Sequence, residues 1–325
     1  MAAIEIVPLS EEDTEKLKKV YPNPFVKLGL RFIRVKPSNC VLPSAYEKYK
    51  NQFKNWDVRK DDVYVLTFAK NGTTWSQELV WCLQNNCDIE KATGSLLHER
   101  VPFLDMAVLS DHVKHLASVK TVDPLILAEN MDSPRVLKSH LPFCHYPDDM
   151  LDKCKVVTCL RNPKDTVVSF YFHEKLIKLH DYDGSFETYF DLFMEDLILY
   201  TPYFEFVAEA WRRRDHPNLC ILFFEDMKED LASCVRKVAK FLGKDVTEQQ
   251  VQILVDHLSF KKMRRNSSVN LERFQDGKIL DKEGSFLRKG EVGDWKNYFT
   301  DAMNKRMEEA TEKYLKPIGL EFRYE

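Results

Sequence analysis

Four short segments carry residue types that bind or move charged groups. The first is residues 67–75, TFAKNGTTW, in which Lys70, Asn71, Gly72, Thr73 and Thr74 follow a run of strand formers. A strand that ends here, turns through a glycine and enters a helix leaves the first helical N–H groups without partners. The helix dipole then favours an anion in front of them. Gly72 permits close backbone approach, Thr73 and Thr74 add hydroxyl donors, and Lys70 adds a positive charge. The product is an anion cradle. It differs from the common nucleotide loop G-x-x-x-x-G-K-[ST], because Lys70 precedes Gly72 and no glycine lies upstream in the loop. Taken alone, the segment is also an ordinary strand–turn–helix with a capping threonine.

The second segment, LRNPKDTVVS, places Arg161 at a strand end and Ser169 on the helix that follows. Together they suit another phosphate, although Arg161 pairing with Asp165 explains the pattern equally well. The third, LRKGEVGDWKNYF, holds Arg288, Lys289 and Gly290 in a compact basic turn whose plain alternative is a solvated charged loop. The fourth, LKSHLPF, spaces Lys138 and His140 two apart, so that they point the same way in an extended chain. Pro142 favours extension just before it. A histidine at a strand end can act as a general base near neutral pH, but the chain has nine histidines and residue type alone does not select His140.

The elements that must position these residues alternate. Short β-branched and aromatic runs at residues 63–68 (VYVLTF), 136–137, 155–160 (KVVTCL) and 220–224 (CILFF) read as strands. Between them, TWSQELVWCLQ shows helical spacing, and RNPKDTVVSFYFHEKL opens with Asn162 as a cap and Pro163 at the first helical position. Further helices are expected over residues 201–214 and 231–242, with Gly243 as the C-cap of the second. Two more are expected, one after a Thr247 cap and one over residues 301–315. Strands separated by helices give an α/β fold, a single domain over residues 1–325 with a central mainly parallel sheet flanked by helices. In this division residues 1–54 form a leader and first helix. Ligands of such sheets bind at the carboxyl ends of the strands, where Lys70 and Arg161 fall.

Composition narrows the partners. With 44% hydrophobic and 30% charged residues the chain has ample material for a core, and its net charge of −3 speaks against binding nucleic acid by bulk charge. No apolar stretch approaches the ~20 residues of a membrane span. The first twenty residues lack the basic start and apolar run of a secretory signal. The eight cysteines form no C-x-x-C pair and read as reduced, mostly buried thiols of a cytoplasmic protein, with no metal expected.

The order K-x-G-T-T-W, K-[ST]-H-L-P, R-[ND]-P-K-D-x-x-x-S, R-K-G-x-x-G-D-W-K resembles the cytosolic sulfotransferases, in recognisable blocks from about residue 55 to residue 299. The leader and TPYFEFVAEAW are similar to arthropod members. The resemblance implies a P-loop-kinase-like fold and transfer of a sulfuryl group from 3′-phosphoadenosine 5′-phosphosulfate (PAPS), without a metal, to a small hydroxylated acceptor, leaving 3′,5′-ADP (PAP). It implies that residues 70–74 cradle the 5′-phosphosulfate. Trp75 and Phe260 would stack on adenine, with Phe224, Ser259 and Met263 nearby, and Arg161, Ser169, Arg288, Lys289 and Gly290 would hold the 3′-phosphate. His140 would take the acceptor proton for in-line attack, Lys70 would neutralise the leaving group, and Lys138 the transferring oxygens. Phe103 and Met106 match acceptor-pocket positions, with Phe143, Phe172 and Phe286 as neighbours, and residues 266–287 read as a lid.

This sequence departs from the family pattern in places. Phe68-Ala69 and Asn71 stand where Tyr-Pro and Ser are common, Phe224 where many members have tyrosine, and Leu258 where threonine is usual. The C-terminal dimer motif K-x-x-x-T-V-x-x-x-E keeps Lys296 and Thr300 but has Asp301 and Lys305, which leaves monomer or dimer open. Two alternatives keep the donor site. One is an enzyme like retinol dehydratase, with transient sulfonation and net dehydration; the other is a non-catalytic PAPS- or PAP-binding protein.

Overall fold

The N-terminal fifty residues hold more than a leader and a helix. In the computed structural model, which describes residues 3–22, 29–111, 123–274 and 279–325, they form a three-stranded antiparallel sheet, β1 (Glu5–Pro8), β2 (Phe32–Lys36) and β3 (Cys40–Pro43). The pairs Val7↔Arg34 and Ile33↔Leu42 fix its register. Buried Ile33 and Val35 alternate with less buried neighbours, the period of two of a half-buried strand. Helices Glu11–Val20 and Tyr46–Lys54 complete this region, the first capped by Ser10 and with Glu11, Glu12 and Asp13 in its first turn.

The central sheet is wholly parallel. Strands β4 (Val63–Leu66), β5 (Val136–Ser139), β6 (Lys155–Leu160) and β7 (Leu219–Phe223) lie in the order β5-β4-β6-β7. β4 is buried along its whole length because both faces are covered. Tyr64 and Leu66 point into one core with Val167, Phe170 and Val207 of the helices Pro163–Leu176 and Tyr203–Arg212. Val63 and Val65 point into the other, with Leu79 and Val238 of the helices Thr73–Gln84 and Leu231–Leu242. The first core also contains Ile33, Val35 and Leu42, so the N-terminal sheet shares it. Each such side chain contributes about 1.5–3 kcal/mol by burial. A buried ion pair, Arg135 Nη2 to Asp62 Oδ2 at 2.6 Å, ties the entrances of β4 and β5 together.

The helix expected over residues 201–214 begins at Tyr203, because Pro202 holds an extended conformation at its N-cap and disfavours helix before it. Leu231–Leu242 ends on Gly243 at φ 70°, and Thr247 forms a reciprocal capping box with Gln250. All eight cysteines are free thiols, six of them buried. Among the described residues no helix is long and apolar enough to cross a membrane.

Candidate active site

The carboxyl ends of β5, β4 and β6 bring three of the four segments together. β4 ends at Leu66 and the chain passes through Lys70 into the helix Thr73–Gln84, whose N-cap is Gly72 at φ 87°. No side chain caps this helix, whereas Asn162, Ser185, Thr247 and Thr300 cap the helices that they precede. Its first N–H groups are therefore left for an external anion. A Cβ at Gly72 would stand 3.0 Å from the Phe224 ring, so a side chain would crowd that ring as well as strain the left-handed turn. Lys70 itself is left-handed at φ 68°, a conformation that costs a non-glycine residue about 1–2 kcal/mol and that the surrounding packing enforces.

Two departures in this loop find a structural reason. Phe68 is fully buried against Phe170, Tyr203 and Phe206, with ring centroids 6.1, 5.1 and 5.8 Å away. Asn71 is turned inward, where its Oδ1 accepts from Thr166 Oγ1 at 2.9 Å. Its side chain thus anchors the loop from behind and does not face the ligand, contrary to the sequence reading. Thr67 and Thr73 hydroxyls, 2.5 Å apart, close the base of the turn.

Lys138 lies in β5 opposite Val65, and His140 follows the strand. Buried Asp105 fixes this strand end by accepting from Ser139 Oγ at 2.6 Å and from the His140 backbone N–H at 2.7 Å. Burial pushes Asp105 up to about 6 against those bonds. His140 Nδ1 is 2.7 Å from the Thr67 carbonyl, which can only accept, so Nδ1 carries the proton and Nε2 keeps its lone pair. Burial, then Lys138 and Lys70, hold the imidazole well below its usual pKa. Phe103 and Tyr200 clamp the ring edge-on, both at 5.1 Å.

Lys70, Lys138, Arg161 and Arg288 line one cleft of about 1300 Å³. Burial first, then Lys138, Arg161 and Arg288, bring Lys70 down to about 7, and burial brings Lys138 down to about 8. Arg161 is likewise lowered, by burial and in part by Arg288. Its Nη2 donates to the Glu291 carbonyl at 2.9 Å and its guanidinium lies 4.1 Å over the Phe224 ring, but its buried Nε has no partner. Asp165 does not pair with it, and instead accepts from the backbone N–H groups of Gly293 and Trp295 at 2.8 and 3.0 Å. That docks the basic turn, where Arg288 and Lys289 both meet Asp294 at 2.5 Å. A Cβ on Gly290, at φ +65°, would fall 2.3 Å from the Phe260 ring, so glycine lets that ring lie on the turn. Mutually repelling cations, an open helix N-terminus and an orphaned guanidinium nitrogen together fit a ligand with two separated phosphate-type groups.

The remaining sequence candidates divide. Trp75, Thr74, Ser169, Phe260 and Met263 line the same cleft, with Trp75 edge-on to Phe224 at 5.7 Å. Ser259 does not line it; its hydroxyl caps the helix Phe260–Arg265. Phe103, under the Lys138 ammonium at 3.5 Å, and Met106, 38% exposed, also line the cleft. Phe286 lies 4.6 Å from Lys70 Nζ and covers it. Phe172 lines the cleft too and stacks under Arg288 at 4.3 Å, beside the basic turn. Phe143 is absent from the cleft: it packs under Arg213 and lines a separate cavity of about 260 Å³. The 3₁₀ turn Phe143–His145 after Pro142 points it away.

Sequence reasoning missed one wall of the cleft. Tyr21, Leu30, Phe32 and Pro43 of the N-terminal region line the cleft, as do His173, Glu174 and His180. His173 Nδ1 is 3.3 Å from Lys70 Nζ. It lies four residues beyond Ser169 on the same helix, a spacing that could have revealed it. The segment expected as a lid is stitched to the end of that helix, with Lys178 N–H donating to the Ile279 carbonyl and Asp281 N–H to that of Leu176. Residues 275–278 of it lie outside the described residues. Elsewhere, Glu78, Cys82 and His257 lie close enough to share an ion. The Glu78 carboxylate is already engaged by Arg100 at 2.5 Å and His257 at 2.7 Å, which makes this a buried structural network.

The family model of the sulfotransferase domain matches residues 60–319. The chain belongs to the sulfotransferase family. It is therefore an enzyme of sulfuryl transfer, with PAPS as the donor. This sulfotransferase is 36% identical to Sulfotransferase 1E1 of Bos taurus over 282 residues, which are 86% of this chain and 92% of that protein. Its fold is similar to retinol dehydratase solved with retinol and PAP, with a TM-score of 0.91 and 30% identity over 99% of both chains. Mouse sulfotransferase SULT7A1, complexed with PAP, aligns at a TM-score of 0.64 and 22% identity over 85% of this chain and 93% of that one, a likeness of fold.

Proposed function

We propose that this sulfotransferase transfers the sulfuryl group of PAPS to a hydroxyl of a small, largely apolar acceptor, a phenol, alcohol or steroid-like compound, with His140 as general base. One observation carries the reading: the Thr67 carbonyl holds the His140 proton on Nδ1, which leaves Nε2 as an acceptor in a cleft that also contains Lys70 and Lys138. PAPS supplies the sulfuryl group. The chain's own residues do the rest. The N-terminus of the helix Thr73–Gln84, with Lys70, Thr73 and Thr74, holds the 5′ end of the donor. Arg161, Ser169 and the turn at Arg288, Lys289 and Gly290 hold its 3′-phosphate, and Trp75, Phe224, Phe260 and Met263 hold its base.

The proton steps follow from the hydrogen bonds. His140 Nε2 takes the acceptor's hydroxyl proton, and the Thr67 carbonyl steadies the resulting imidazolium through Nδ1–H. Asp105 keeps the strand end that carries the ring in place. Lys138 neutralises charge at the transferring oxygens, and Lys70, held between His173 and Phe286, neutralises it at the leaving oxygen. The described parts of the expected lid, residues 266–274 and 279–287, contribute Phe274, Leu280 and Phe286 to the wall of the cleft, and one domain in the cytoplasm is the setting that the sequence suggests.

A second reading is favoured by the likeness to retinol dehydratase across 99% of both chains. Here the sulfated alcohol is transient: its C–O bond breaks, sulfate leaves, a proton is lost from the neighbouring carbon and an alkene forms.

Incubation of the enzyme with PAPS and a panel of phenols, alcohols and steroids tests both readings. Products heavier by one sulfuryl group support transfer, and alkenes with free sulfate support dehydration. PAP should protect the protein against heat far better than ATP. Equal protection by ATP contradicts the 3′-phosphate assignment.

A further inference from the structure

The acceptor side contains a polar cluster that neither donor binding nor proton transfer uses. Glu174, on the helix Pro163–Leu176, is 3% exposed and lines the cleft. Its Oε2 is 2.9 Å from His180 Nδ1, while its buried Oε1 has no hydrogen-bond partner. Tyr21 also faces this carboxylate: burial first, then the charges of Glu174 and Tyr182 and hydrogen bonding to Glu174, raise its phenol well above the usual range, and Oε1 is still the oxygen without a partner. For His180, burial opposes the charged ring, but Glu174 outweighs burial and the pKa rises.

The contacts run outward from the reacting end. Lys70 Nζ meets His173 Nδ1 at 3.3 Å, the His173 and His180 rings are 6.4 Å apart edge-on, and His180 meets Glu174. Lys70 is thus engaged by His173 and Phe286, and Glu174 keeps one oxygen open. A buried carboxylate oxygen without a donor bears its full desolvation penalty. A wholly apolar acceptor would seal it from water and leave that penalty in place, whereas an acceptor that carries a donor would relieve it. Such a site selects by what it rejects as much as by what it binds.

We infer that Glu174 determines acceptor specificity: its free Oε1 binds a second hydrogen-bond donor, hydroxyl or ammonium, carried by the acceptor away from the hydroxyl that receives the sulfuryl group. This rests on the sulfuryl-transfer reading and narrows its acceptor class to compounds with two polar ends. His180 donates to Oε2 and fixes the carboxylate, and Tyr21 brings the N-terminal region to the same point.

The test uses the full chain and a panel of apolar phenols and alcohols. Each is paired with the analogue bearing a second hydroxyl and with the analogue bearing an amine. The readouts are kcat/KM with PAPS and, independently, acceptor binding to the PAP-loaded enzyme. For the best-fitting pair the bifunctional compound should be preferred about 10- to 100-fold. Glu174→Leu should abolish that preference while PAP still protects the variant against heat. Glu174→Gln, which keeps an acceptor oxygen but loses the charge, should retain part of a hydroxyl preference and lose an amine preference. No preference anywhere in the wild-type panel, or a preference that survives Glu174→Leu, overturns the proposal. If no compound is sulfated, the transfer reading fails, while the binding measurement still decides the role of Glu174.

Discussion

The half of the cleft proposed to hold the donor and the half proposed to hold the acceptor are built differently. The donor half comes from short contiguous segments at the ends of β4 and β6 and the turn at residues 288–290, positioned by backbone and by glycines at which a side chain would crowd an aromatic ring. The acceptor half is assembled from segments far apart in the chain: Tyr21 and Phe32, Phe103 and Met106, the end of the helix Pro163–Leu176, and Phe286. Cations are concentrated in the first and apolar surface in the second, apart from the cluster at Glu174, with His140 and Lys138 where the two meet. Binding a phosphate-type group needs N–H groups and cations at fixed points, which local geometry supplies. Shaping a wall around an apolar molecule needs long-range packing, which varies more freely.

That contrast can be broken by substitutions on either side. Lys70→Met should lower kcat about 10²- to 10³-fold at saturating donor, as loss of charge stabilisation at a leaving oxygen does; steady-state kinetics across the acceptor panel would show the same factor for every acceptor. A factor that varies strongly with acceptor would place Lys70 in the wrong half. Gly290→Val introduces a Cβ against the Phe260 ring at a left-handed position. It should weaken PAP binding about 10- to 100-fold, measured by calorimetry, with little change in acceptor KM.

Protons report on the donor half next. Lys70 at about 7 and Lys138 at about 8 are lowered in the free protein, and a bound polyanion favours their charged forms. PAP binding should therefore take up protons. Its affinity should fall as pH rises through the window from 7 to 9, by up to about tenfold per unit for each group. Calorimetry in buffers of different ionisation enthalpy measures the uptake. For the ligand-free protein the sign is set by the same lysines. Charging them is penalised, so their contribution falls as pH drops from about 10.4, their unfolded value, toward their folded values. Proton release on PAP binding would contradict the cation cluster. At the small end, Phe143→Leu should leave kcat/KM within about twofold for every acceptor, since its ring lies in another cavity.

The same contrast explains what the sequence made legible. The four parallel strands, the helix caps at Asn162 and Thr247, and the cluster of Lys70, Lys138, His140 and Arg161 follow from local patterns: β-branched runs, capping residues and motif order. Phe143 was misplaced because spacing from a motif says nothing about a 3₁₀ turn that redirects the chain. Ser259 and Asn71 were assigned to a ligand, whereas the Ser259 hydroxyl caps a helix and Asn71 Oδ1 ties down the loop. Both are small polar residues beside the site, and only the packed structure shows which way they turn. The N-terminal sheet went unread because its strands are four or five residues long and a helix separates the first from the second. Glu174 and His180 gave no motif at all; Glu174 reaches the cleft from the last turn of a helix and His180 from the turn that follows it.

The most direct test is single-turnover sulfuryl transfer by His140→Ala with PAPS in excess of its affinity, on the acceptor that wild type uses best. The expected result is a transfer rate about 10²- to 10⁴-fold lower, with PAP protection against heat unchanged. A rate within about tenfold of wild type, which lies below that range, would contradict His140 as the base. A parallel loss of PAP binding would show instead that the residue serves the donor half.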